Sequence, residues 1–354
     1  MAEARVPTLN SAGLLRGEFL TPNVFNVKAF PYLAVGNGVA DDTNAITAAE
    51  TAAAAVGGQV YFPNGTYLTA PQTLHSKVVW VGESRAATLI RLKSASNNDL
   101  LKTDGFDTLT GTSGSGSNTG CNGHGLRSLT LDADRLNQSS RSLCYASYGR
   151  NSTVFDVDFV NGHPIGVSSE WVVSDTAGDR MEGLWSNFKI WNYGGVKGGA
   201  VGLDWSGPHD SILSNYIVAT LDSTIRPYTA TYGATPVNGS TAVVPGSGSY
   251  TFVTTEAAPV SLFPESGGWF VVPHDIGNSN FSVVSYTAAS TVGTQTTFSG
   301  CTGGAGRTVG TLAAGVGIIK PSWGLMINRV HKGEYSFVHS QAHIWGRNHI
   351  GLGC

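Results

Sequence analysis

The sequence is short of charge. Charged residues make up 13% of its 354 positions, and the formal net charge is −3. A surface with so few charges excludes a nucleic-acid binder, which needs a basic patch. The 46 glycines are instead typical of a β-rich protein with many turns. We therefore expect neutral or weakly charged partners and no nucleic acid.

The chain also has few cysteines and no long apolar run. Its four cysteines, Cys121, Cys144, Cys301 and Cys354, lie far apart without a CxxC pair or a Cys/His cluster. Neither a structural zinc site nor a disulfide framework is therefore expected. Residues 1–17 carry mixed charges and lack the apolar stretch of a signal peptide or a membrane span. We expect no signal peptide and no membrane insertion.

What the chain does have is a compact series of local signals near its start. The turn from Gly36 to Thr43 contains two glycines and an asparagine, which tolerate positive φ. Asp42 or Thr43 is then placed to cap a helix. The alanine-rich stretch 43–56 predicts that helix, and Gly57-Gly58 ends it. Residues 60–62 predict a strand that precedes the turn Pro63-Asn64-Gly65.

These three linked elements resemble the N-terminal signature of the pectate-lyase-like, right-handed parallel β-helix superfamily. Its members include polysaccharide hydrolases, lyases, epimerases and phage tailspikes. The resemblance implies an all-β fold, a right-handed parallel β-helix (solenoid), with helix 43–56 closing one end. It implies that Asp41 and Asp42 are capping and turn residues, and it does not specify the chemistry.

Four later segments support a solenoid, because each carries an apolar pair between mostly polar positions and they recur at offsets of 28, 31 and 28 residues. The apolar pairs are Leu129/Leu131, Val157/Phe159, Phe188/Ile190 and Tyr216/Val218. We expect each pair to stack on the next, with sizeable loops between coils. The Gly/Ser/Thr run 108–119 is predicted to be such a loop.

The pattern changes after residue 226. We predict an attachment or linker segment at 1–25, the first part of the β-helix at 26–226, an inserted antiparallel β module at 227–320, and an incomplete continuation of the β-helix at 321–354. Within the insert, residues 261–270, 283–287 and 298–304 are similar to a small module recurrent in phage tail fibres and tail proteins.

The predicted register stacks polar side chains in outward columns, with Asp132, Asp156, Asp158 and Lys189 on one face. Asp156 and Asp158 would lie about 7 Å apart and Asp132 and Asp158 about 8 Å apart. Inverting glycosidases separate their two carboxyl groups by about 6.5–9.5 Å. We therefore take these four residues as catalytic candidates for glycoside hydrolysis.

Other interpretations stay open. Asp158 and Lys189 could form a simple surface ion pair. A lyase would instead use Asp156 and Asp158 to bind Ca²⁺, with Lys189 as the base. Trp191 is a candidate sugar-stacking platform or a packing residue, and Asn187 and Asn215 are candidate substrate-binding residues.

Two further motifs are not assigned a function. Gly123-His124-Gly125 is interpreted as a turn. His339, His343 and His349 lie in a region whose sequence predicts strand and turn, so no metal site is predicted there. We expect no cofactor, apart from Ca²⁺ in the lyase case.

Taken with the resemblance, the insert and the absent leader predict a phage tailspike-like or minor tail protein of the virion. It would act outside the host cell, binding and in an enzymatic case depolymerising cell-surface polysaccharide. A homotrimer and contacts with other tail proteins through the N-terminal segment are implied by the family. The alternatives are a free-standing polysaccharide hydrolase or lyase, with hydrolysis favoured, and a purely structural tail component.

Overall fold

The computed structural model describes residues 23–109, 120–163, 165–170, 183–194, 201–206, 211–220, 230–232, 235–236, 250–254, 257–258, 263–273, 281–303, 322–328, 342–346 and 349–353. Residues 110–119 of the predicted loop at 108–119, and most of the predicted attachment segment, lie outside this part of the chain. The first two residues of that predicted loop, 108 and 109, are helical. No helix within the described residues is long and apolar enough to cross a membrane.

A 14-residue helix, α1 (Thr43–Val56), follows the glycine-rich turn as predicted, and it packs its Ile46, Ala49 and Ala53 into the core. The cap differs from the prediction. Asp42 does not cap the helix through its side chain; its carboxylate accepts bonds from the backbone N–H groups of Val35 and Gly36 at 2.6 and 3.0 Å. Asp41 Oδ1 accepts from the Thr43 N–H at 3.1 Å instead.

A parallel sheet of eleven strands forms most of the solenoid wall. Its strands are β1 (Val24–Asn26), β2 (Asn37–Asp41), β3 (Gly58–Phe62), β4 (Gly65–Thr69), β6 (Val78–Gly82), β7 (Thr88–Leu92), β10 (Gly125–Asp132), β12 (Ser152–Val160), β14 (Gly183–Trp191), β16 (Ser211–Thr220) and β25 (Ala342–Gly346).

A second parallel sheet closes the coils on the other side. Its strands are β5 (Gln72–Leu74), β8 (Leu101–Thr103), β9 (Cys121–Asn122), β11 (Tyr145–Arg150), β13 (Ile165–Glu170), β15 (Val201–Ser206), β24 (Ser322–Asn328) and β26 (His349–Gly353). Each coil contributes strands to both sheets, so the fold is the predicted right-handed parallel β-helix. A four-residue helix, α2 (Phe106–Leu109), and a 3₁₀ turn (Arg135–Asn137) lie between strands.

The predicted antiparallel module is present between β16 and β24. Its strands are β17 (Ala230–Tyr232), β18 (Thr235–Pro236), β19 (Tyr250–Thr254), β20 (Gly268–Pro273), β21 (Phe281–Tyr286), β22 (Ala288–Val292) and β23 (Gln295–Gly303). Phe298 lies at its centre, fully buried, against the rings of Phe263, Phe270 and Tyr286. The domain boundaries at residues 25, 226 and 320 remain predictions.

Each long strand of the first sheet turns once, at a residue with positive φ. These residues are Ser128, Asp156, Asn187 and Asn215, with φ between 50° and 59°; we call them the corner column. Asn and Asp adopt this left-handed conformation more readily than most L-residues. β10 pairs with β6 before its corner and with β7 after it. The corner therefore divides the first sheet into face 1, which precedes it, and face 2, which follows it.

The predicted strand register is confirmed after the corner. Leu129, Val157, Phe188 and Tyr216 stand in one inward row, and Leu131, Phe159, Ile190 and Val218 in the next. All eight are buried, and burying each stabilises the fold by about 1.5–3 kcal/mol. The rings of Phe188 and Tyr216 stack at 5.2 Å.

One part of the strand prediction was wrong. The corner-column residues were taken as ordinary outward strand positions. In the structure the left-handed corner interrupts the alternation, so Phe155 and Asp156 both point outward before Val157 turns inward.

Cys121, Cys144 and Cys301 are buried and free, and Cys354 lies outside the described residues.

Candidate functional site

The candidate site is built around Arg85, which sequence reasoning missed. In the coil that contains β6 and β7, the one-residue corner is replaced by the five residues 83–87. This loop is fixed to the next coil, since Thr130 Oγ1 donates to the Arg85 carbonyl at 2.8 Å. Arg85 Nη1 donates to the Asn187 carbonyl at 3.4 Å. The guanidinium is thereby held over the corner column.

Asp156 and Asp158 share this guanidinium. Arg85 Nη1 lies 3.1 Å from Asp156 Oδ1, and Arg85 Nε lies 3.5 Å from Asp158 Oδ1. All three side chains are about one-quarter exposed. The structure therefore brings the two principal catalytic candidates together, as predicted, but places a cation against both of them.

Burial raises the pKa of Asp158, and the nearby Asp156 carboxylate raises it further, while Arg85 and Lys189 oppose both effects. The 3.5 Å contact with Arg85 is an ion pair, because Asp158 Oδ1 makes no regular hydrogen bond within the described part of the chain. Asp158 therefore holds a proton more readily than an ordinary aspartate does.

Lys189 and Trp191 extend the site along face 2. Lys189 stands opposite Asp158 in the register between β12 and β14. Its ammonium lies 5.9 Å from the centroid of the Trp191 ring, within the range of a cation–π contact. Trp191 is partly exposed.

The two asparagines lie in the corner column. Asn187 Nδ2 donates to Asp156 Oδ1 at 3.0 Å, which orients that carboxylate. Asn215 is exposed one coil further on. Ser214 Oγ donates to Ser186 Oγ at 2.9 Å beside them. Amides, hydroxyls and carboxylates thus follow one another along the corner.

Asp132 is held by a different set of donors. It is buried, and its carboxylate accepts bonds from Arg91 Nε at 2.8 Å, Asn161 Nδ2 at 2.8 Å and the Asp134 N–H at 2.9 Å. Three donors satisfy the charge and fix the turn that follows β10. We therefore leave Asp132 out of the proposed catalytic pair and assign it to the structure of that turn.

We call the partly exposed set formed by the corner column, Phe155, Asp158, Lys189 and Trp191 the corner strip. Phe155 precedes Asp156 and is 51% exposed. The described residues contain no group of three or more His, Cys, Asp or Glu side chains that could hold a metal. The corner strip offers hydrogen-bond donors and acceptors beside two aromatic side chains.

Residues 24–242 match the family described as rhamnogalacturonase A/epimerase, pectate lyase-like. This match spans more than half of the chain. The chain belongs to this family. The corner strip lies entirely within the matched residues.

Two curated relatives of this pectate lyase-like chain are the mannuronan C5-epimerases AlgE5 and AlgE2 of Azotobacter vinelandii. Each is 39% identical over 127 residues, which cover 33% of this chain and 12% of the relative. The chain thus matches about an eighth of the length of these curated relatives.

Among solved structures, the AlgE4 A-module of Azotobacter vinelandii covers 56% of this chain at 22% identity, with a TM-score of 0.39 and 57% of the module matched. The tailspike gp49 of Acinetobacter baumannii bacteriophage Fri1, a capsular polysaccharide depolymerase, covers 60% of this chain at 14% identity; its TM-score is 0.42 and 37% of it is matched.

Neither Arg85 nor Phe155 was found from the sequence of this pectate lyase-like chain. Arg85 reaches the two carboxylates from another coil, and the sequence of its loop predicts only a polar turn. Phe155 looks like a core residue when strict alternation is assumed. The pair of adjacent outward positions becomes visible only if Asp156 is recognised as a left-handed corner.

Proposed function

We propose that the chain is a phage tailspike-like or minor tail protein that binds host cell-surface polysaccharide along the corner strip. The observation that carries this proposal is the strip itself. Its amides and carboxylates suit sugar hydroxyls, and the partly exposed Trp191 offers a ring face for stacking. The corner column crosses four strands, about 14 Å from first to last. A ligand that fills it is an extended chain rather than a single sugar.

The arrangement of Arg85 favours binding over catalysis. An inverting hydrolase needs a water molecule and the glycosidic bond between its two carboxyl groups. Here one guanidinium contacts both Asp156 and Asp158. A sugar could reach the space between them only after Arg85 moves.

Hydrolysis is the second candidate function, and one observation favours it. The raised pKa of Asp158 suits a general acid, and Asp156 would be its partner as the base. A lyase that binds Ca²⁺ through Asp156 and Asp158, with Lys189 as the base, would have to displace Arg85 as well. We therefore rank the lyase below the hydrolase.

The phage setting is supported by the insert and its similarity to a tail-protein module. Within this proposal the chain is a virion component that acts outside the host cell, assembles as a homotrimer and contacts other tail proteins through its N-terminal segment. A free-standing polysaccharide hydrolase or lyase, and a structural tail component that binds no sugar, are the rivals.

Binding is tested with immobilised bacterial capsular polysaccharides and lipopolysaccharides as probes. We expect the chain to bind one of them, and Trp191→Ala to weaken that binding about tenfold, as the loss of one stacking contact predicts. Leu136→Ala is the matched control, because Leu136 is 73% exposed outside the strip. An unchanged affinity in Trp191→Ala would refute the assigned site, and no binding to any probe would favour the structural rival.

Turnover is tested on the polysaccharide that binds. Release of reducing ends without unsaturated products, lost in both Asp156→Asn and Asp158→Asn, would establish hydrolysis. Unsaturated products that absorb in the ultraviolet would indicate a lyase. Binding without either product would leave an adhesin.

A further inference from the structure

The corner of the solenoid continues beyond the corner strip toward the N-terminal end. β3 and β1 pair in succession onto β6 and extend face 1, while β4 and β2 pair in succession onto β7 and extend face 2. The connections between these strands, residues 27–36, 63–64 and 83–87, therefore lie on the same edge of the molecule as the corner column. We call residues 27–36 the first corner loop.

The first corner loop exposes an aromatic side chain. Phe30 is 85% exposed, and Leu33 and Val35 in the same loop are 60% and 53% exposed. Apolar side chains left in water do not contribute the stabilisation that burial would supply. A ring held outward beside other exposed apolar side chains is therefore a candidate contact for a ligand.

The backbone of the first corner loop is fixed around Phe30. The Ala34 N–H donates to the Val27 carbonyl at 2.8 Å and closes the loop, and the Leu33 N–H donates to the Ala29 carbonyl at 3.1 Å. Leu33 has φ 61°, a left-handed conformation that is strained for leucine. Such strain persists only where the surrounding structure imposes it, and it is frequent at ligand-binding sites. The ring is thus carried on a preorganised loop, which lowers the entropic cost of binding.

Polar side chains occupy the edge between Phe30 and Arg85. Lys28 Nζ donates to the Asn64 carbonyl at 2.9 Å and ties the first corner loop to the next coil. The Asn64 N–H donates to Glu83 Oε2 at 2.8 Å, and both of these side chains are exposed. An amide and a carboxylate can hydrogen-bond sugar hydroxyls. The edge therefore continues the chemistry of the corner strip as far as the first corner loop.

We propose that the polysaccharide bound along the corner strip continues along this edge and stacks a further sugar on Phe30. This proposal rests on the proposed function and adds a second aromatic contact to it. Five strand spacings separate the coil of Trp191 from the first corner loop, which gives a span of about 24 Å. An aromatic ring at each end of a line of polar groups suits an extended chain of sugars, whose hydroxyls bond to the polar groups while their apolar faces cover the rings.

A polysaccharide fits this edge better than an apolar protein surface does. Lys28, Asn64 and Glu83 lie beside the exposed ring, and an apolar partner would bury their charged and polar groups without supplying new hydrogen bonds. Sugar hydroxyls can both donate to and accept from them. The proposed ligand adds no contact between copies of the chain, so the proposal is compatible with the homotrimer.

The experiment measures affinity against ligand length. The probes are oligosaccharides of graded length, prepared from the capsular polysaccharide or lipopolysaccharide that the full chain binds. We expect Phe30→Ala to bind fragments shorter than about 24 Å as the parent chain does, and to bind longer fragments about tenfold more weakly. Trp191→Ala should weaken the binding of both, and Leu136→Ala should weaken neither.

Two further variants separate ring stacking from general apolar contact. Phe30→Trp keeps a ring and should bind long fragments at least as tightly as the parent chain. Phe30→Leu keeps apolar bulk without a ring and should behave as Phe30→Ala. Because Phe30 is 85% exposed, these substitutions should leave the urea midpoint unchanged, and circular dichroism identifies any variant that fails to fold.

Each contrary outcome has a separate meaning. Long fragments that bind Phe30→Ala or Phe30→Leu with the parent affinity overturn this proposal and leave the corner strip intact. A Phe30→Ala chain whose mass in sedimentation differs from that of the parent also overturns it, because Phe30 would then lie in a contact between copies. No binding of any fragment to the parent chain overturns the proposed function together with this extension.

Discussion

Arg85 Nη1 lies 3.1 Å from Asp156 Oδ1, and the same guanidinium reaches Asp158 Oδ1 at 3.5 Å. One cation from the loop between β6 and β7 thus pairs with two carboxylates of β12, two coils further on. This contact keeps two like charges close together on a partly exposed surface, because the guanidinium offsets their repulsion.

Removal of this cation should change the titration of the pair. In Arg85→Gln we expect the pKa of Asp158 to rise further, since burial and Asp156 already raise it and Arg85 opposes them. Carboxyl chemical shifts followed by NMR during a pH titration measure this change. Arg91→Gln is the control, because Arg91 pairs with Asp132; an Asp158 pKa that moves equally in both variants would contradict the assignment.

The sequence predicted the solenoid well because its physics is local and repetitive. Apolar pairs such as Val157/Phe159 recur at a nearly constant offset, and each coil can bury them only by stacking on its neighbour. The helix at 43–56 followed for the same local reason, since glycines bound an alanine-rich segment. The cap was misjudged because Asp42 bonds backward to Val35 and Gly36, and nothing in the local pattern distinguishes the two directions.

The candidate site was less predictable. The order of Asp156, Asp158, Lys189 and Trp191 on the wall followed from the register, so their proximity could be predicted. The role of Arg85 could not be predicted, because it depends on how one loop folds over the corner of the next coil. The position of Asp132 as a saturated, buried carboxylate depends likewise on Arg91 and Asn161, which lie in other coils.

The corner conformation gives a prediction about stability. Asn187 has φ 53° and donates to Asp156 Oδ1. Asn187→Gly and Asn187→Val both lose that hydrogen bond, but only valine is strained at positive φ. We therefore expect Asn187→Val to be less stable than Asn187→Gly by about 1–2 kcal/mol in urea unfolding. Equal stability of the two variants would mean that the corner does not require the left-handed conformation.

The end cap supplies a second stability prediction. Glu50 on α1 is buried, and its carboxylate accepts bonds from Trp80 Nε1 and from the backbone N–H of His75. His75 Nδ1 lies 3.2 Å from Glu50, and this contact raises the pKa of His75. Glu50→Gln should lower the His75 pKa toward its ordinary value and reduce stability by about 1.5–3 kcal/mol, as expected for hydrogen bonds to a charged group.

The pH dependence of this effect has a defined sign. A raised pKa means that the folded state holds the His75 proton more tightly, so the contribution is present in acid and is lost as the pH rises through the folded pKa. The stability gap between the parent chain and Glu50→Gln should accordingly narrow toward alkaline pH. NMR of the imidazole protons gives the pKa directly, with Glu83→Gln as a control that should leave it unchanged. A gap that widens with pH would rule out the His75–Glu50 pair as its source.

The titration of His124 should change the stability of the fold with pH in the opposite direction to that of His75. It is fully buried, its Nε2 lies 3.0 Å from Ser147 Oγ, and burial lowers its pKa to about 4. Because the unfolded chain binds this proton more readily, stability should be complete above the unfolded pKa and fall as the pH drops from about 6.5 toward 4. The loss amounts to about 3 kcal/mol at most.

His124→Gln isolates this contribution, since glutamine keeps a polar side chain at the position and does not titrate in this range. Urea unfolding at several pH values should show the parent chain losing stability relative to His124→Gln as the solution becomes more acidic. The difference between the two proteins cancels the opposing effect of His75, whose titration both share. Parallel stability curves for the two proteins between pH 7 and pH 4 would show that His124 is not buried as a neutral imidazole.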